Sequence, residues 1–113
     1  MARYTLTARI SGKVEHERFD DFEAALDALE RRGHALQGQA DAEVVGGSLM
    51  RRFEPEDQVT ARLELSGPRR LRVGVDVRGD GSAVPFTGRV LRRPVERRKR
   101  ESAYDALRRV ASE

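Results

Sequence analysis

The sequence predicts an α+β domain: an antiparallel sheet of about five strands with two helices on one face, in the order β-β-α-β-β-β-α. Three observations carry this expectation. Apolar residues recur at every second position in four separate segments, the period of a half-buried strand. Two other stretches space their apolar residues three and four apart, as one face of a helix does. Glycine, proline and aspartate fall in the gaps, at Ser11-Gly12, Gly67-Pro68 and Gly79–Ser82, where the chain can reverse.

The first segment places Tyr4, Leu6, Ala8 and Ile10 on one face and Thr5, Thr7 and Arg9 on the other. Ser11-Gly12-Lys13 then turns the chain, and Val14–Phe19 is its hairpin partner. Asp20 opens a helix as an Asx N-cap, with Glu23 three residues on as a capping-box variant. Phe22, Leu26 and Leu29, flanked by Ala25, form its apolar stripe, and Gly33 is expected to close it. Residues 37–47 are small and contain glycine, so they read as a loop, and Leu49–Glu54 is a weakly patterned strand. Val59-Ala61-Leu63-Leu65 and Leu71-Val73-Val75-Val77 alternate cleanly. Val84, Phe86, Gly88 and Val90 complete a meander on the same inward face.

The last helix must start near Ser102. Begun at Val95, it would bring Lys99 into the arc shared by Val95, Ala103, Ala106 and Val110. Begun at Ser102, it has Ser102 as N-cap and Asp105 at N3, with Ala103, Leu107 and Val110 packed inward. The run Arg92–Arg100, cationic everywhere except Pro94, Val95 and Glu96, is then an arm leading into the helix.

At 113 residues the chain suits a single domain with a single core, and Leu, Ile, Val and Phe supply 26 of them. The absence of cysteine removes disulfides, thiolate nucleophiles and Cys-ligated zinc together. No apolar run is long enough to span a membrane. MARYTLTARI lacks the apolar core of a signal peptide, so a cytoplasmic location is expected. The 20 arginines against 2 lysines suit phosphate recognition, and GC-rich codon usage would produce the same bias. Net charge is +3 but unevenly spread: residues 1–57 hold 8 basic and 12 acidic side chains, residues 58–113 hold 14 and 7. Such a dipolar domain can steer toward a polyanion or dock its own two halves. Its single-layer core is marginal for this length, which leaves room for a homodimer.

The candidate polyanion-binding set is Arg92, Arg93, Arg97, Arg98, Lys99 and Arg100, with Arg69 and Arg70 in the turn after Pro68. Guanidinium forks and the N–H groups of a helix start both suit oxyanions. The competing reading is internal neutralisation by Asp20, Asp21, Glu23, Glu54, Glu56 and Asp57. A second surface is the polar face of the sheet, with Thr7, Arg9, Thr60, Arg62, Arg72, Thr87 and Arg89, and with Glu64 and Asp76 interleaved. Stacking of bases there would require aromatics, and Tyr4, Phe86 and Phe53 are read as pointing elsewhere. Thr-x-Arg-aliphatic recurs at Thr7, Thr60 and Thr87, and Ala-x-Asp-Ala-Leu at Ala25 and Ala103. Amphipathic elements drawn from a narrow alphabet converge on such repeats.

From residue 20 onward the order helix, strands, helix, with Gly67-Pro68-Arg69-Arg70 in an inter-strand turn, resembles the α-β-β-β-α plan of double-stranded-RNA-binding domains. The resemblance implies duplex binding by shape and phosphate contacts. Arg70 stands where that family carries a histidine after Gly-Pro, the N-terminal hairpin is foreign to it, and the basic run lies further from the Gly79–Ser82 turn.

Enzymatic signals are weak. His16 and His34 lie in different elements without a carboxylate or hydroxyl at catalytic spacing. Asp76–Ser82 lacks the ligand pattern of a calcium loop, and Ser48, Ser66, Ser82 and Ser102 sit in turns or caps. No metal or cofactor is expected. The expectation is therefore a non-enzymatic binding or interaction module whose basic C-terminal third contacts a polyanion such as nucleic acid. The alternatives are an assembly module, acting as a homodimer or docking an acidic protein, and an enzyme on an anionic small molecule. The last requires His16 or His34 beside a carboxylate in a pocket.

Overall fold

A computed structural model describes residues 3–45, 59–88 and 91–112. The expected strand at Leu49–Glu54, with Phe53, Arg89, Glu54, Glu56 and Asp57, lies outside the described residues. Strands β1 (Tyr4–Ile10) and β2 (Lys13–Phe19) form the N-terminal hairpin, turning at Ser11 and Gly12, both with positive φ. Helix α1 (Phe22–Val45) follows, then β3 (Val59–Gly67), β4 (Leu71–Arg78) and β5 (Ala83–Thr87). A two-residue strand, β6 (Arg93–Pro94), precedes helix α2 (Ala103–Ala111). All neighbouring strands are antiparallel, in the order β2-β1-β3-β4-β5-β6.

Both helices cover the same face. The core joins Leu6 and Ala8 of β1 to Ala61, Leu63 and Leu65 of β3 and to Val73, Val75 and Val77 of β4. Onto these pack Ala25, Leu26, Ala28 and Leu29 of α1, and Tyr104 and Leu107 of α2. The α+β class, the antiparallel sheet and the element order are thus as the periodicity requires. The sheet has six described strands instead of about five, because Arg93 and Pro94 pair with Thr87 and Phe86. No helix among the described residues is long and apolar enough to cross a membrane.

Three local expectations are corrected. Asp21 caps α1 instead of Asp20: its carboxylate accepts the Ala24 N–H at 3.0 Å, and its carbonyl accepts from Ala25. Gly33 does not end the helix, which continues to Val45 through residues read as a loop. A Cβ at Gly33 would overlap the Tyr104 phenol, so this glycine makes room for an aromatic ring and does not stop a helix. The phase of β5 is also inverted. Ala83, Pro85 and Thr87 register with Val77, Val75 and Val73 on the helix side, whereas Phe86 registers with Gly74 on the open face. A one-residue change of phase moves every side chain of a strand to the other face.

The inversion creates a second packed cluster on the open face. Phe86 is 3% exposed and lies over Gly74, where any Cβ would overlap the ring and the Leu63 carbonyl. The guanidiniums of Arg62 and Arg92 each lie 5.7 Å from the ring centroid, within cation–π range. Arg62 grips Asp76 through two nitrogens, at 2.5 and 3.1 Å. Arg92 and Arg9 share Glu64, at 3.1 and 3.7 Å.

Candidate polyanion-binding surface

Helix α2 carries the cap read from its sequence. The Asp105 N–H donates to the Ser102 hydroxyl at 3.0 Å, and the Ser102 N–H donates to the Asp105 carboxylate at 3.1 Å. Its inward residues are Ala103, Tyr104, Ala106 and Leu107; Val110 is only half-buried. Tyr104 takes its place because it fits over Gly33 and donates to Gln37 at 2.6 Å. Burial pushes its phenol above the ordinary tyrosine value.

The arm ahead of α2 is fastened at both ends. Pairing of β6 with β5, continued by the Val95 N–H to the Pro85 carbonyl at 2.8 Å, holds its start. Glu101 holds its end. That carboxylate accepts the Arg98 N–H at 2.7 Å and two Arg109 nitrogens at 2.9 and 3.1 Å. Arg109 also donates to the Glu96 carbonyl at 3.0 Å. The Arg109 guanidinium first, and the Arg98 N–H second, hold the Glu101 carboxyl below the usual glutamate range. Such a group favours the folded arrangement above the ordinary glutamate pKa, and the contribution disappears as pH falls through the lowered folded value. Arg109→Gln should therefore move the Glu101 titration, followed by carboxyl NMR, upward toward the ordinary range. Amide exchange at Arg98 should quicken in the same variant.

Internal neutralisation is selective. Arg108 reaches three carboxylates of α1: Glu23 at 3.3 Å, Asp27 at 2.6 Å and Glu30 at 3.3 Å. Among the described residues, Arg108 thus ties the C-terminal helix to the acidic first half. Arg92 is bound to Glu64 and Arg109 to Glu101. Of the carboxylates expected to neutralise the arm, Glu23 serves Arg108 and Asp21 caps α1. The side chains of Arg93, Arg97, Lys99 and Arg100 are exposed and have no carboxylate partner among the described residues, while Arg98 stands close to Glu101.

The candidate set divides in two. Arg69 and Arg70 project from the β3–β4 turn, beside the C-terminal end of α2 at Val110 and Ala111. The arm meets the other end of that helix, nine residues or about 13 Å away. Arg69 and Arg70 are exposed and both have positive φ, 59° and 61°, with the Leu71 N–H donating to the Pro68 carbonyl across the turn. Two central residues with positive φ are the signature of a type I′ turn, whose usual occupants are Asn-Gly.

The open sheet face is not a free basic surface. Arg9, Arg62 and Arg92 are engaged by Glu64 and Asp76. Thr87 lies on the helix side instead, and the one aromatic described on this face, Phe86, is covered by two guanidiniums. His34 does stand beside a carboxylate, its Nε2 3.5 Å from Glu30, with its ring 4.7 Å from that of Tyr104. Glu30 also binds Arg108, and the His34 side chain is 62% exposed. His16 meets only the Thr7 hydroxyl, at 3.1 Å. No group of side chains suited to hold a metal occurs among the described residues.

No protein-family model matches this chain, and no curated protein or solved structure matches it either. The order of elements departs from the α-β-β-β-α plan of double-stranded-RNA-binding domains: β6 stands between β5 and α2, and β1 and β2 extend the same sheet beyond β3.

Proposed function

We propose that the protein is a non-enzymatic binding module that contacts nucleic acid through its basic C-terminal third. One observation carries the reading. In a domain where Arg92, Arg108 and Arg109 are bound by carboxylates, the neighbouring Arg93, Arg97, Lys99 and Arg100 are exposed and unmatched among the described residues. They stand on a segment tied down at both ends, so little chain order is lost when phosphates dock. Clustered cations bound to phosphates release counterions, which sets the affinity and its dependence on salt.

The variant Arg97→Gln/Arg98→Gln/Lys99→Gln/Arg100→Gln keeps the side-chain stems and removes the charges. Fluorescence anisotropy with a labelled 20-base-pair duplex and a labelled single strand should show about 100-fold weaker binding at 0.1 M salt. The slope of log affinity against log salt should fall by about 3 to 4 on the duplex. Melting of the variant should be unchanged within about 0.5 kcal/mol, since these are surface cations. An intact protein that binds neither probe in a salt-dependent way contradicts the proposal. A salt-sensitive oligomer seen by light scattering, without nucleic-acid binding, would place the same cations against an acidic protein surface instead.

A further inference from the structure

A cleft of about 720 Å³ opens at the end of the sheet, where the β3–β4 turn faces the start of α1 and the end of α2. Four arginines line it: Arg3, Arg69, Arg70 and Arg72. Glu23 is the one carboxylate on its described lining, and it is bound by Arg108 at 3.3 Å. The aromatic rings of Tyr4 and Phe22, both half-buried, also line it, with centroids 5.5 Å apart. The volume falls within the range of small-molecule sites, roughly 300–1,000 Å³. No carboxylate among the described residues pairs with these four arginines, and they stand next to half-buried aromatic surface.

The turn presents two of these cations on the rim of the cleft: Arg69 and Arg70 fill the two positive-φ positions of the type I′ connection, where asparagine and glycine are the usual residues.

We infer that this cleft binds a nucleotide, with a terminal phosphate monoester held by Arg3, Arg69 and Arg70 and the base lying against Tyr4 and Phe22. A phosphate dianion suits several guanidinium forks, and a base offers a flat face to aromatic rings. An aliphatic carboxylate would bring a single charge and no such face. The nucleotide can be free or can be the 5′ end of a strand whose backbone follows the arm. The second source rests on the nucleic-acid reading above; the first does not.

The test uses the full chain, the arm variant, and the turn variant Arg69→Asn/Arg70→Gly. The turn variant removes both charges while supplying the residues its backbone prefers, so it should melt higher than the parent. Calorimetric titration should show 5′-AMP binding at least tenfold more tightly than adenosine, inorganic phosphate or decanoate. The turn variant should lose at least tenfold in AMP affinity, and the arm variant should keep it. A 5′-phosphorylated 12-nucleotide strand binding several-fold more tightly than its 5′-hydroxyl counterpart assigns the strand end as the source. Equal binding of the two strands with AMP binding intact assigns the free nucleotide. Absence of AMP binding with no preference for the 5′-phosphate, or an unchanged AMP affinity in the turn variant, overturns the inference. Retained AMP binding by a protein that shows no salt-dependent strand binding overturns only the arm's role.

Discussion

Phe86→Ala is expected to lower the free energy of unfolding by about 3–5 kcal/mol, the range for deleting a buried aromatic side chain. The substitution lies on the open face of the sheet, where a phenylalanine would ordinarily contribute little. Here the ring is 3% exposed and fills the space above Gly74. Its removal leaves a hollow that Gly74 cannot fill, and it takes the aromatic face away from Arg62 and Arg92. Arg92 belongs to the segment that β6 pins to the sheet edge, so the start of the arm should loosen as well. Phe86→Leu keeps most of the volume and should cost less than about 2 kcal/mol. Urea denaturation of the three proteins checks the ordering. A loss below about 0.5 kcal/mol for Phe86→Ala would return the ring to solvent.

Gly33→Ala is expected to destabilise by about 2–3 kcal/mol, although alanine is the better helix former by about 1 kcal/mol. The Tyr104 hydroxyl oxygen and two carbons of its ring lie too close to the position a Cβ would occupy. The ring cannot easily retreat: it is 3% exposed, its hydroxyl is bound to Gln37, and His34 packs against it. Overlap should win over propensity. In a domain of this size that loss lowers Tm by roughly 10 °C or more. A rise in Tm, as helix propensity alone would give, contradicts the packing described.

Which parts of this structure can be read from the chain follows from how local their causes are. Strands β1, β3 and β4 alternate so cleanly that only one face can be buried, and the capping box of α2 lies within four consecutive residues, Ser102 to Asp105. The β5 segment has apolar residues at Val84, Pro85 and Phe86 in succession, so its own pattern fits either phase. The phase is decided by Gly74 on the neighbouring strand. Gly33 sends the local signal of a helix end, yet its cause is a ring on a helix far along the chain. The two residues of β6 are too few for any period to show.

The candidate site divides in the same way. Charge asymmetry between the halves suits both docking of one on the other and steering toward a polyanion, and nothing local marks Arg108 as the residue that meets Glu23, Asp27 and Glu30. The arm's cations stand together as a run in the sequence. The cleft does not show there, because Arg3, Phe22, Arg69 and Val110 come from widely separated stretches and converge only at the sheet end.

The most direct test of the central claim is the affinity of the intact protein for a labelled 20-base-pair duplex between 50 and 300 mM salt. Engagement of the arm predicts a straight line of log affinity against log salt, with a slope steeper than about −3, flattened by the four glutamines at positions 97–100. A slope near zero, or one that the arm variant reproduces in full, contradicts the account.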